Sequence, residues 1–202
     1  MQSKIAIFTD VHGNFPALNA VLDDIDKRQE IDHIFCLGDM IAIGPDTNEV
    51  LEALFARNDI SMITGNHDEA VLALINGEEH PKSHIHVREH HEWIAERMDK
   101  SYIAQLEKIP RLIKKNIFGN SLLFIHYHIE KHKLNEPLVT IHLAESYPQV
   151  LKIWKDYLQD TQRTLSVSVT IILLIIFRII KRNILILVHL GAMIVQLLVM
   201  QL

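Results

Sequence analysis

Lys4-Ile5-Ala6-Ile7-Phe8-Thr9-Asp10-Val11-His12-Gly13-Asn14 decides how the rest of the chain is read. The run Lys4–Phe8 predicts a buried first strand with no leader ahead of it, and Asp10 follows directly. Asn14 can cap a helix near Pro16–Gln29, whose Leu18, Val21, Leu22 and Ile25 share one face. The arrangement then returns twice. His33–Leu37 is a short strand closed by Gly38-Asp39, and Ile60–Thr64 is one closed by Gly65-Asn66-His67-Asp68. Between them, Asp46 with Glu49 three residues on predicts a capping-box start to a helix reaching about Arg57. Strand, helix, strand, helix, strand implies βαβ units and a largely parallel sheet, hence an α/β fold.

In such a sheet the carboxyl ends of the strands share one rim, so the three polar clusters converge in space. Asp, Asn and His together suit hard or borderline divalent ions. Asp10 with His12 can hold one ion, Asp39 can bridge two, and Asn66 offers a neutral oxygen to the second. Two ions roughly 3.5–4 Å apart can clamp a phosphate and activate a water.

Any one of these clusters is a weak signal; the three in this order, each ending a strand, are a strong one. Asp-x-His, then Gly-Asp, then Gly-Asn-His-Asp resembles the calcineurin-like metallophosphoesterases, and the start Ile-Phe-Thr-Asp-Val-His-Gly-Asn looks like their bacterial phosphodiesterase branch. The resemblance covers about residues 4–160 and implies an α/β sandwich of two mixed sheets flanked by helices, with the C-terminal part incomplete. It implies metal-assisted hydrolysis of a phosphate ester, a small phosphorylated substrate and two divalent metal ions. Manganese comes first among the ions, with iron, zinc, cobalt, nickel or magnesium also suited to the donors. Asp10 and His12 would bind the first metal, Asp39 would bridge, and Asn66 would bind the second. His67 would be the general acid or transition-state donor, oriented by Asp68. The next ligand in the family ends a strand, which here is His126, with His128 as the alternative because Tyr127 stands where the family has Gly.

The family closes with Gly-His-x-His, and this chain has no such motif: after His142 its remaining histidine is His189, followed by Leu190 and Gly191. The charge pattern breaks at the same place. Residues 1–160 carry all 25 acidic side chains and 16 of the 20 basic ones, a net −9. Residues 161–202 hold Arg163, Arg178, Lys181 and Arg182 and no acid, a net +4. The expectation is a catalytic domain over 1–160 and a tail over 161–202 translated one nucleotide out of frame. Ser168–Leu173 can be encoded TCG GTC ACC ATC ATC CTT, which from the third base reads Gly-His-His-His-Pro. The same shift turns Thr164–Ser168 into Asp-Val-Ile-Cys-Phe and Leu185–Ala192 into Asn-Pro-Gly-Ser-Leu-Gly-Cys, both of which suit this family. The rivals are a membrane anchor over Ile184–Leu202, a hydrophobic helix packed on the domain, and aggregation. With them goes a competing reading of the whole: an inactive truncated homologue, or a membrane-tethered metal binder.

Several other features have bland readings. His80, His84, His86, His90 and His91 include i,i+4 pairs but are read as a solvated helix face. Cys36, the single cysteine, is read as a small core residue and fits a reducing, cytoplasmic compartment. Trp93, Ile94 and Met98 are read as helix packing, and the acidic body argues against a nucleic-acid surface. Helical pattern from about Glu69 to Lys108 breaks near Asn76-Gly77 and Pro81. Leu112–Phe118 and Leu122–Tyr127 read as a hairpin, and Pro148–Leu158 as a short amphipathic helix.

Overall fold

The computed structural model describes residues 4–117, 120–127, 129–141, 164–168 and 198–201. Strand β1 (Lys4–Phe8) has apolar side chains on both faces, so both faces must be covered. Ala6 and Phe8 join a helix-side cluster, whereas Ile5 and Ile7 join a second cluster between two sheets. β2 (Ile31–Cys36) and β3 (Ile60–Met62) extend the first sheet in parallel, in the order β3-β2-β1. The helices between them are α1 (Phe15–Lys27) and α2 (Thr47–Phe55). α3 (Asn66–Ile75) follows β3, and α4 (Arg88–Arg97) and α5 (Ile103–Leu106) come later. Leu18, Leu22 and Ile25 of α1, Val50, Leu51 and Leu54 of α2, Val71 of α3 and Ile94 of α4 all bury on the helix side.

The predicted hairpin is β4 (Leu112–Ile117) and β5 (Asn120–Ile125), antiparallel, with β6 (Thr164–Ser168) parallel to β5 in the second sheet. β7 (Leu198–Gln201) lies antiparallel to β1 at the edge of the first sheet. Between the sheets, Phe35 and Phe124 stack with ring centroids 4.0 Å apart. Burying each such side chain is worth about 1.5–3 kcal/mol. The chain is thus an α/β sandwich of two mixed sheets with helices on the first.

Four local readings change. Asn14 caps α1 as expected, its Oδ1 accepting from the Ala17 amide at 3.1 Å, but Asp46 makes no side-chain cap on α2. Asp46 Oδ2 instead accepts from the Phe15 amide at 3.3 Å, so it joins α1 to α2 rather than pairing with Glu49. β3 stops before Thr64 because the Thr64 amide donates to the Pro110 carbonyl, outside the sheet. The stretch before α4 is a 3-10 segment, Lys82–Val87. Ile94 and Met98 pack as read, but Trp93 is exposed beneath the Arg97 guanidinium. Cys36 is a buried core residue. The helix over Pro148–Leu158 lies outside the described residues, as does Ile184–Leu202 apart from β7. Among the described residues no helix is long and apolar enough to cross a membrane.

One clamp ties α3 to the second sheet. Glu69 Oε1 accepts from Thr64 Oγ1 (2.9 Å), Tyr127 Oη (2.6 Å) and Arg111 Nε (2.9 Å). Arg111 Nη1 donates to the Leu134 and Glu136 carbonyls. Because the pair is largely shielded, Arg111→Met leaves Glu69 partly desolvated without its cation. The expected loss of unfolding free energy is about 3–5 kcal/mol, read by urea denaturation. A loss below about 1 kcal/mol would place the pair among ordinary surface bridges.

Candidate metal centre and active site

The loops after β1 and β2 are strained where the chemistry sits. Asp10 (φ 55°), His12 (φ 49°) and Asp39 (φ 50°) all occupy the left-handed region, as do Ala42 and Ile43. Non-glycine residues there cost on the order of 1–3 kcal/mol each and persist only where the surroundings enforce them. The enforcement is a backbone lacing: the Asp10 amide donates to the Gly38 carbonyl, His12 to Asp39 and Gly13 to Met40, at 2.8–3.1 Å. Gly13 packs so closely on Gly44 that a Cβ would lie 2.5 Å from the Gly44 carbonyl oxygen.

The lacing brings three predicted ligands together. Asp10, His12 and Asp39 each offer a donor atom, all within 4.8 Å of one another. His12 Nε2 lies 3.5 Å from Asp10 Oδ1 and 3.7 Å from Asp39 Oδ2, too far for good hydrogen bonds. Donors about 2.1 Å from a shared ion stand about 3.0–3.5 Å apart, so the spacing suits a divalent cation. The all-nitrogen-and-oxygen donor set suits manganese, iron or zinc.

On the other side of Asp39, His126 Nδ1 donates to the Leu37 carbonyl at 2.5 Å, which leaves the Nε2 lone pair facing inward. That nitrogen is 3.2 Å from Asp39 Oδ2 and 3.2 Å from Asn66 Oδ1. A lone pair against two oxygens is repulsive unless the ring is protonated or a cation lies among the three. Without a cation the protonated form prevails: burial opposes it, but the Asp39 carboxylate outweighs burial and pushes His126 up to about 10. Burial likewise opposes ionisation of Asp39, yet His126, with His67 and His12, holds its carboxyl well below the usual range. Asp39 Oδ1 also accepts from the His67 amide at 2.9 Å, in the first turn of α3, where a helix favours an anion. His128 lies outside the described residues.

Asp68 differs from its expected role. It is fully buried, and its Oδ1 accepts from the Met40 and Ile41 amides while Oδ2 accepts from the Gly65 amide, at 2.9–3.1 Å. It therefore brackets the Asp39 loop to the start of α3 rather than orienting the His67 ring. The ring partner of His67 is His91, Nδ1 to Nε2 at 2.9 Å.

The histidine-rich stretch is also not a solvated face. His80, His84 and His91 are buried, whereas His86 is exposed. His84 Nε2 meets Asn66 Nδ2 at 2.7 Å and its Nδ1 meets Ser83 Oγ at 2.9 Å, which turns the Asn66 carbonyl oxygen toward His126. Burial, then the neighbouring His67, lowers His84 to about 4 and His91 to about 3, so both stay neutral. The usable signal was spacing within α4: His91 and Ile94 are three apart and both buried, on one core-facing side.

A sequence model of the calcineurin-like phosphoesterases matches residues 3–174. An uncharacterized protein of Methanocaldococcus jannaschii is 35% identical over 127 residues, covering 62% of this chain and 50% of that protein. A symmetrical bis(5'-nucleosyl)-tetraphosphatase of Erwinia tasmaniensis is 38% identical over 69 residues, 34% of this chain and 25% of that enzyme. The chain therefore spans half or less of the length of these two relatives. Among solved structures, a hypothetical protein from Pyrococcus horikoshii shares the fold with a TM-score of 0.59 at 19% identity, covering 82% of this chain and 69% of that one.

Proposed function

Because the chain belongs to the calcineurin-like phosphoesterases, we propose that it hydrolyses phosphate esters at a dinuclear metal centre built on Asp39. The observation that carries this reading is the convergence on one carboxylate of two donor groups, Asp10 with His12 and Asn66 with His126. Asp10, His12 and Asp39 would hold one divalent ion; Asp39, Asn66 and His126 would hold the other. Such ions supply charge stabilisation to phosphoryl oxygens and acidify a coordinated water. The chain's own contribution is placement. Asp39 would fix the two donor groups relative to each other, the α3 N-terminus would add positive potential, and His67, its ring against that of His12, would donate a hydrogen bond to a phosphoryl or leaving-group oxygen.

The test is manganese-dependent hydrolysis of an aryl phosphodiester, with a symmetrical dinucleoside tetraphosphate as the natural substrate suggested by the tetraphosphatase relative. Manganese at 100 times its dissociation constant is expected to stabilise the protein by about 2.7 kcal/mol, seen as a higher Tm that a chelator reverses. No Tm shift with manganese, zinc or iron would overturn the metal site. A Tm shift without hydrolysis of either substrate would favour the second reading, a metal-binding but inactive homologue, which the missing Gly-His-x-His supports.

Residues 1–160 form the catalytic domain in this proposal, acting in the cytoplasm, and 161–202 are the out-of-frame remainder of it. Sequencing the gene is expected to find GGT or GGC followed by three CAY codons in the shifted frame across Ser168–Leu173. A coding sequence without them ends the frameshift reading, and alkaline-resistant membrane association of the expressed chain would favour an anchor.

A further inference from the structure

Neighbouring residues in extended chain point their side chains to opposite faces, so those of Thr9 and Asp10 would not ordinarily meet. Here they do: Thr9 Oγ1 donates to Asp10 Oδ2 at 2.7 Å. Asp10 follows shortly after the end of β1 with a φ of 55°, and this left-handed turn brings its carboxylate back beside the hydroxyl of the residue before it. The hydroxyl has one proton and two oxygens near it. The second, the Leu37 carbonyl, is 3.4 Å away, beyond a good O–H···O bond, and it already accepts from His126 Nδ1. The Thr9 proton is therefore committed to Asp10.

A carboxylate held by one oxygen has the other to offer. Asp10 Oδ1 lies 3.5 Å from His12 Nε2, which is 3.7 Å from Asp39 Oδ2, so Oδ1 is on the side where the three donors converge. Rotation of a free carboxylate about its Cβ–Cγ bond is broad and roughly two-fold, so without the hydroxyl Asp10 could present one oxygen or both. The Thr9 hydrogen bond fixes that angle before any ion arrives. Partners that orient a metal-ligating group in this way are worth about 10–100-fold in metal affinity. We propose that Thr9 is a positioning residue, whose hydroxyl holds Asp10 Oδ2 and leaves Oδ1 as the one oxygen aimed at the ion that Asp10, His12 and Asp39 would share.

The proposal rests on the metal centre proposed above, and its test separates the two. Manganese binding to the full chain is measured by calorimetry, with no substrate present. Thr9→Val keeps the β-branched shape without the donor and is expected to weaken manganese binding about 10–100-fold. Thr9→Ser restores a hydroxyl at the same place and should recover most of the loss. A Val variant that binds manganese as tightly as the parent, even if less stable in urea, would reduce Thr9 to a structural contact. A Ser variant as weak as Val overturns the proposal equally. Crystal structures of the metal-free proteins supply the second measurement: the Asp10 carboxylate should be turned about its Cβ–Cγ bond in the Val variant and unturned in the Ser variant. An unturned carboxylate in the Val variant also overturns the proposal. If the parent binds neither manganese, zinc nor iron, the metal centre fails, and the metal-free structures still decide whether Thr9 sets the Asp10 carboxylate.

Discussion

Asp39→Asn is expected to abolish manganese-dependent hydrolysis in a protein that still folds. The substitution keeps an oxygen that can accept from the His67 amide, now at 2.9 Å from Asp39 Oδ1, so the start of α3 keeps its anchor. It removes the negative charge around which both donor groups are arranged, and sets an NH2 against His126 Nε2, 3.2 Å from the present Oδ2. Loss of a partner one step removed from a metal already costs about 10–100-fold in affinity or activity, so loss of a shared ligand should exceed that. Removal of one preorganised electrostatic group from an active site costs on the order of 100–1,000-fold in turnover, and Asp39 serves two donor groups at once. Manganese titration and phosphodiester hydrolysis should fall together while the far-UV spectrum is retained. Activity and manganese affinity both within about tenfold of the parent would remove Asp39 from the centre of the site.

The largest stability effect is expected at Asp68. Its carboxylate serves three buried amides, of Met40, Ile41 and Gly65, and Asp68→Ala leaves all three without an acceptor. Each orphaned donor costs about 1–3 kcal/mol, against a typical total stability of about 5–15 kcal/mol. Asp68→Asn should be milder, since one carbonyl oxygen can still serve Met40 and Ile41, which share Oδ1 now. Urea denaturation should therefore rank the parent above Asn and Asn above Ala. Manganese affinity should fall in the same order, because the strained Asp39 backbone relies on this bracket. An Ala variant as stable as the parent, or less damaged than Asn, would show that water replaces the carboxylate.

The residues proposed as ligands were legible as one cluster because their chemistry is local. Asp10, His12, Asp39 and Asn66 each follow a strand whose apolar residues announce it, and a parallel sheet sends all such loops to one rim. His126 was legible for the same reason, as the residue after β5. Asp68 was legible as a position but not as a role: nothing in Gly-Asn-His-Asp says that its carboxylate turns away from His67 toward Met40 and Ile41, residues 27 and 28 positions back. The histidines of 80–91 misled for a related reason. Charge and polarity place such a stretch in water, and only the packing of α4 and the 3-10 segment before it against α3 makes His84 and His91 cheaper to bury than to expose.

The amino-acid sequence alone determined the α/β order of elements, the rim on which the site lies and the residues that meet there, because strand periodicity and strand-end turns are written in neighbouring residues. The tertiary structure alone decided which way each polar group faces. A carboxylate, an amide or an imidazole has two ends, and the partner that selects between them comes from a distant part of the chain. Leu37 does so for His126 and His84 for Asn66.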